Sequence, residues 1–207
     1  MSASDKAYEH VKGRILAGDI APSSFLTEGH LAEEIGISRT PVREALLRLQ
    51  AEGMVELFPK KGALVVAPTP REMREVFEAR ALIEEWAAGQ MWSRRDVALP
   101  ALREKLDQMS SAMKVDDVSA FSAADRAFHE VIVDSAGNSV ITRQYCHLRD
   151  RQIVIVAGNL RGDKPRMTKS LRQHRELLRL LEAGSKAQFV HACSEHVAYA
   201  GTLAGTR

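Results

Sequence analysis

At Gly53 the apolar residues change period, and that change restricts the fold more than any other feature of the chain. Before it they recur at helical spacing: Ala7, Val11, Ile15 and Leu16 form one stripe, and Val42, Ala45, Leu46 and Leu49 another. After it come two short β-rich runs, MVELF and ALVVA, joined by PKKG, which read as a hairpin. Beyond Pro70 the period is helical throughout.

Punctuation residues divide the first part into three helices. Gly18 closes a helix over residues 4–17, and a turn containing Pro22 follows. Thr27 can cap a short helix through Ile35, which Gly36 ends. Ser38 can cap a third helix reaching about Ala51, with Pro41 in the first turn, where a missing N–H costs little. Three helices and a hairpin are the layout of a winged helix-turn-helix. APTP reads as a linker, and six helices are expected near 71–92, 97–114, 117–136, 139–157, 167–183 and 186–203, with GNLRGDKP as a break. The expected fold is mainly α: a winged helix-turn-helix over 1–67, a linker over 68–70, and an all-α bundle over 71–207.

Charge alone does not announce a partner. The chain carries a net +2, and residues 1–67 hold eight Lys and Arg against nine Asp and Glu. A DNA-binding surface must therefore be a local patch. Two cysteines, Cys146 and Cys193, make no disulfide framework, and neither a signal-peptide run nor a stretch of transmembrane length is evident. These features lead us to expect a soluble, cytoplasmic protein with reduced thiols.

In a helix-turn-helix the second helix of the motif enters the major groove N-terminus first. Ser38, Arg39, Thr40, Pro41 and Arg43 occupy that leading end. Arginine's planar fork suits guanine edges or phosphate oxygens, and hydroxyls suit phosphate. Lys60, Lys61 and Gly62 would form a wing tip on the DNA backbone. The plain alternative is a solvated helix face with ordinary salt bridges. LAEEIGISRTPVREALLRLQAEGMVELFPKKGALVV resembles the N-terminal domain of GntR-family transcription regulators over residues 7–67. The resemblance implies DNA contact by Arg39 and Arg43, helped by Ser38, Thr40 and the wing. One departure is visible: the family often has Pro-Gly where this chain has Pro22-Ser23.

The helical half holds a second constellation. Asp125 and His129 lie four apart in AADRAFHEVI, His174 shares a face with Leu171, Leu177, Leu178 and Leu181, and His196 lies near the C-terminus in CSEHVAYA. One carboxylate and three imidazoles from three helices could converge on a divalent metal, with zinc or nickel suiting that set. Cys193 offers a rival thiolate, but the small-hydrophobe reading is favoured for it, and His191 points to another side of its helix. D-x-x-F-H, Q-H-R-E-L-L and S-E-H-V are similar to the FCD effector domain of the same family, and six helices resemble its shorter, VanR-like group. By that resemblance Asp125, His129, His174 and His196 are metal ligands, a small carboxylate effector completes the shell, and Arg80 meets the effector's anionic group. Arg151 is a further candidate of that type, and for Arg80 a surface ion pair with Glu84 is the plain alternative.

These readings lead us to expect a homodimeric regulator, most often a repressor in the family, binding a double-stranded DNA operator. A dimer is expected because one short helix reads too few base pairs. Two alternatives stand beside it. A metal-dependent hydrolase would need a general acid or base, and Glu130, the nearest carboxylate, turns away from the site. A metal-free DNA-binding regulator would use its histidines only as polar core groups.

Overall fold

A computed structural model describes residues 1–67, 69–156 and 164–204, with the side chains of 153–156 and 201–204 left aside. Pro68 of the expected linker and residues 158–163 of the expected break lie outside the described residues. The described chain forms two compact units, one from residues 1–69 with the segment beginning at Asp150, the other from residues 70–149 and the segment from 164 onward.

The first unit contains α1 (Ala3–Ala17), β1 (Phe25–Leu26), α2 (Glu28–Ile35), α3 (Arg39–Ala51), β2 (Val55–Phe58) and β3 (Gly62–Val65). Ser2 and Asp5 close a reciprocal capping box at the start of α1, and Gly18 ends the helix in the left-handed region. Thr27 accepts from the His30 N–H to cap α2, and Gly36 ends it in the same way as Gly18. Ser38 holds the N-cap position of α3 with extended backbone but makes no side-chain cap bond. Its hydroxyl is therefore not spent on the helix.

The expected hairpin is present, β2 and β3 pairing antiparallel from Val55–Val65 to Phe58–Gly62. A third strand, β1, pairs with β3 on the other side, so the sheet order is β1-β3-β2. Two residues are too few to show a period, which is why sequence patterning missed it. Gly62 takes φ +120, and a Cβ there would stand 2.1 Å from the Leu26 carbonyl oxygen, so β1 can approach only a glycine. Ser23, where the family often has glycine, adopts φ 65 and keeps the left-handed turn. The helical stripes meet as expected: Ala7, Val11, Ile15, Val42, Ala45, Leu46 and Leu49 are buried together with Leu31, Met54, Val55, Ala63 and Val65. At about 1.5–3 kcal/mol per large aliphatic side chain, this core is what holds three short helices and a small sheet together.

The second unit is helical: α4 (Pro70–Met91), a 3-10 turn (Trp92–Arg94), α5 (Arg95–Lys114), α6 (Val118–Ser135), α7 (Ser139–Val156), α8 (Lys164–Ala183) and α9 (Lys186–Ala204), with α7 passing into the first unit at Asp150. α4 packs against α9 and α6, and α5 against α6 and α8. Phe128, Ile132, Leu177, Leu181 and Phe189 meet in the core around Tyr145. Among the described residues no helix is long and apolar enough to cross a membrane.

Candidate functional site

The sequence candidates gather in two places among the described residues. The first is the leading end of α3. Ser38, Arg39, Thr40 and Arg43 are exposed there, Pro41 is half-buried in the first turn, and Lys60 and Lys61 are exposed at the tip between β2 and β3. Lys60 takes φ 62, which turns the tip sharply. Gly62 sits behind the lysines, fixed by its approach to Leu26, and offers only backbone groups. Arg43 donates from Nε and Nη2 to the two oxygens of Glu28, both at 2.7 Å, which holds the Glu28 carboxyl below its ordinary range. The Arg43 side chain as a whole remains 67% exposed. The Arg39 Nη2 lies 3.4 Å from where a Cβ on Gly29 would stand, so its side chain runs across the start of α2.

The second place lies within the bundle. Asp125 and His129 from α6, His174 from α8 and His196 from α9 bring one ligand atom each within 4.8 Å of the others. His129 Nε2 stands 3.2 Å from both His174 Nε2 and His196 Nε2, and Asp125 Oδ1 lies 3.4 Å from His174 Nε2. Two nitrogens bound to one ion at ~2.0–2.1 Å in a tetrahedral shell are roughly 3.3 Å apart, so the spacing fits a common metal. Phe128 meets the His174 and His129 rings edge-on, and the His129 and His196 rings stack.

The opposite nitrogens are turned to acceptors. His174 Nδ1 donates to the Ser170 carbonyl at 2.9 Å, and His196 Nδ1 faces the Gln173 Oε1 at 3.2 Å. His129 Nδ1 stands 2.6 Å from Glu84 Oε2, a close contact off the line of a regular hydrogen bond. Protons on all three Nδ1 atoms leave three Nε2 lone pairs facing one centre, which is the arrangement a metal ion needs. Asp125 is likewise held: its Oδ2 accepts from Arg149 Nη2 at 3.0 Å, leaving Oδ1 toward the histidines.

Electrostatics agree with neutral imidazoles at His174 and His196. Burial, reinforced by the His129 ring and opposed by Asp125, lowers His174 to about 4. Burial and the other two rings push His196 well down. Burial raises Asp125, but the imidazoles and Arg149 outweigh it and hold the carboxyl below its ordinary range.

Other sequence candidates fall into place or out of it. Arg80 does pair with Glu84, but the pair is buried rather than on the surface: Arg80 is 2% exposed and Glu84 fully enclosed. Arg151 is exposed and clusters with the first unit; the arginine at the histidine centre is Arg149, two residues earlier on α7. Sequence reading missed Arg149 because RDR offers two arginines and the helix phase decides between them. It missed Tyr145 for want of any motif, and it placed Glu84 only as a surface partner of Arg80. Cys193 is buried, and burial pushes its thiol well up, in keeping with a small hydrophobe. His191 is exposed. Glu130 accepts from Arg126 Nε at 2.6 Å, so it is engaged in a pair away from the imidazoles.

Comparison with known proteins follows the same division. The family model described as "Bacterial regulatory proteins, gntR family" matches residues 3–65, and that of the FCD domain matches residues 75–199. An uncharacterized HTH-type transcriptional regulator in the TAR-I ttuE-ttuC' intergenic region of Agrobacterium vitis is 33% identical over 135 residues, 63% of this chain and 78% of its own length. The gluconate operon transcriptional repressor of Bacillus licheniformis is 33% identical over 137 residues, 66% of this chain but only 56% of the repressor. Among solved structures, Escherichia coli McbR/YncC superposes with a TM-score of 0.87 at 22% identity, covering 99% of this chain and 97% of that one, which shows the shared fold.

Proposed function

This chain belongs to the GntR family of bacterial transcription regulators, in its FCD-domain branch, and from that premise we propose that it is a metal-dependent, acid-responsive repressor. Proteins of this family regulate transcription and are not enzymes. In our reading Asp125, His129, His174 and His196 hold a divalent ion, zinc or nickel by the chemistry of three imidazoles and a carboxylate. The observation that carries it is the set of three Nε2 atoms around one centre, 3.2 Å from His129 to each of the others, with every Nδ1 facing an acceptor. The ion, when bound, supplies open coordination positions that take a carboxylate oxygen. A small organic acid is the effector; the relative named for a gluconate operon is a repressor, which supports both halves of the reading. Six helices in the second unit, among the described residues, fit the shorter VanR-like group.

Ser38, Arg39, Thr40, Pro41 and Arg43 read the operator's major groove, and Lys60, Lys61 and Gly62 follow its backbone. The protein acts as a homodimer in the cytoplasm. Leu82 and Trp86, one turn apart on α4 and 73% and 37% exposed, offer apolar surface that a second copy would cover. Metal and DNA sites belong to different units, so the effector must act by binding one arrangement of the regulator more tightly than another. A tenfold change in operator affinity then needs about 1.4 kcal/mol of coupling, and operator must change effector affinity equally.

The test uses the full chain purified without chelator. Metal analysis should find stoichiometric divalent metal in the wild type and a sharp loss in His174→Ala, with Cys193→Ser unaffected. Calorimetric titration of gluconate and related acids into free and operator-bound protein should then give unequal affinities for the true effector. A wild type that holds no metal after supplementation would overturn the metal reading in favour of a metal-free regulator.

A further inference from the structure

We infer that Glu84 is the positioning residue of the histidine centre: its buried carboxylate, clamped by Arg80 and Tyr145, fixes His129 as the ligand to which the other two imidazoles are registered. The inference rests on the metal reading above. It begins from a cost. A fully enclosed carboxylate loses several kcal/mol of hydration and survives only with close partners. Three donors meet one of the Glu84 oxygens, and the His129 ring lies against the other. Its Oε1 accepts from Arg80 Nε at 3.1 Å, Arg80 Nη2 at 2.6 Å and the Tyr145 hydroxyl at 2.6 Å. Its Oε2 is turned to His129 Nδ1 at 2.6 Å. Nothing in a helical core requires this charge, since α4 could bury an apolar residue at the same position at no such cost.

The three imidazoles are not backed alike. Behind His174 stands a backbone carbonyl and behind His196 a side-chain amide, both neutral. Among the described residues, His129 alone of the three has a carboxylate at Nδ1, and His129 is also the ring whose Nε2 lies 3.2 Å from each of the other two. A carboxylate behind an imidazole holds the proton on the near nitrogen, sets the ring's orientation and makes the far nitrogen a stronger electron-pair donor. The charge balance points the same way. Among the described residues, Arg80 and Arg149 are set against Glu84 and Asp125, two positive charges against two negative ones before a dication arrives.

Arg80 therefore has a role of its own in this arrangement. Its Nε and Nη2 are directed at Glu84, so it acts on the ion through Glu84 and His129. Tyr145, from α7, holds the same oxygen from the other side, so three helices converge on one carboxylate.

The test titrates Co2+ into the chelator-treated full-length protein, reading its visible d–d absorption, with a competing chelator to set the affinity and thermal unfolding to follow the fold. Glu84→Gln, which keeps the shape and removes the charge, should weaken Co2+ binding about 10- to 100-fold and shift the absorption band. Tyr145→Phe removes one of the three donors that hold the Glu84 Oε1, so it should lower thermal stability and weaken Co2+ binding, by less than Glu84→Gln does. If Glu84→Gln does not fold, Glu84→Asp decides, because it retains the buried charge for Arg80 but draws it back from His129, and it should bind Co2+ at least about tenfold more weakly. A folded Glu84→Gln with wild-type affinity and spectrum would overturn the inference while leaving the four-ligand reading intact. So would a Tyr145→Phe protein that loses more Co2+ affinity than Glu84→Gln, since the clamp cannot matter more than the carboxylate it holds. A wild type that binds no Co2+ would overturn both.

Discussion

The two units each set an arginine against a glutamate, and the two pairs do different work. Arg43 and Glu28 meet through two bonds of 2.7 Å on an open surface, where the arginine side chain is 67% exposed. Arg80 and Glu84 meet at 2.6 Å in a core where neither side chain exceeds 2% exposure. Water competes for the first pair and is excluded from the second. An exposed pair is typically worth ~0–1 kcal/mol and can exchange one anion for another, while a buried pair cannot be broken cheaply from either side. An exchangeable arginine suits a surface that meets phosphates. A locked one suits a frame for a ligand.

Breaking the buried pair gives the largest effect. Glu84→Ala leaves the Arg80 charge enclosed and removes the acceptor of the Tyr145 hydroxyl, so it should cost about 3–5 kcal/mol of unfolding free energy in the bundle, read by urea denaturation. Glu28→Ala, the matching change on the surface, should cost less than about 1 kcal/mol in the same assay. Equal costs would dissolve the contrast between the two pairs.

Acid sharpens the comparison next. His174 is lowered to about 4 in the folded chain, chiefly by burial, from an ordinary value near 6.5. Above 6.5 both folded and unfolded forms are neutral and the stability is full. As pH falls from about 6.5 to about 4 the unfolded chain takes up a proton that the folded one refuses, so stability drops, by up to about 3 kcal/mol for this one group. Asp125, held below its ordinary range, extends the loss to lower pH. In chelator-treated protein the bundle should therefore soften before the first unit, which has no buried histidine among its described residues. Amide exchange at pH 7.5 and 5 would locate the loss, and equal protection at both values would refute it.

Much of this was legible in the sequence, because capping residues and apolar spacing are local signals. Thr27, Gly36 and the Val42-Ala45-Leu46-Leu49 stripe all sit where spacing puts them. The four residues that gather at the histidine centre were picked out by the resemblance of D-x-x-F-H, Q-H-R-E-L-L and S-E-H-V to the FCD domain; helical spacing by itself only allowed them to converge. What could not be read depends on phase between helices. The i,i+4 spacing of Arg80 and Glu84 predicts that they meet, but whether they meet in water or in the core is decided by the face α4 turns to α6 and α9. Arg149 and Arg151 differ by roughly 200° of helix turn, and no local signal says which one faces inward. The edge strand β1 was invisible because a two-residue strand carries no pattern.

The exposed pair makes the subtlest prediction, and it bears on how the proposed DNA-reading surface works. If Arg43 reads a base, Arg43→Ala should weaken operator binding roughly ten- to a hundredfold and relax preference at one position. Lys61→Ala, at the tip of the sheet, should weaken all sequences alike and lower the salt slope by about one, because a phosphate contact carries no sequence information. Glu28 sits between these cases. Its carboxylate already occupies Nε and Nη2 of Arg43, so it either steadies the fork or must yield to an incoming anion. An exchangeable pair predicts that it yields: Glu28→Ala should leave operator affinity within about threefold of wild type, since a phosphate or guanine can replace the lost anion and one repulsive charge is gone. Operator titrations at several salt concentrations measure all three variants together. A loss in Glu28→Ala as large as that in Arg43→Ala would show that the surface pair is held as firmly as the buried one, and exposure would no longer separate the two.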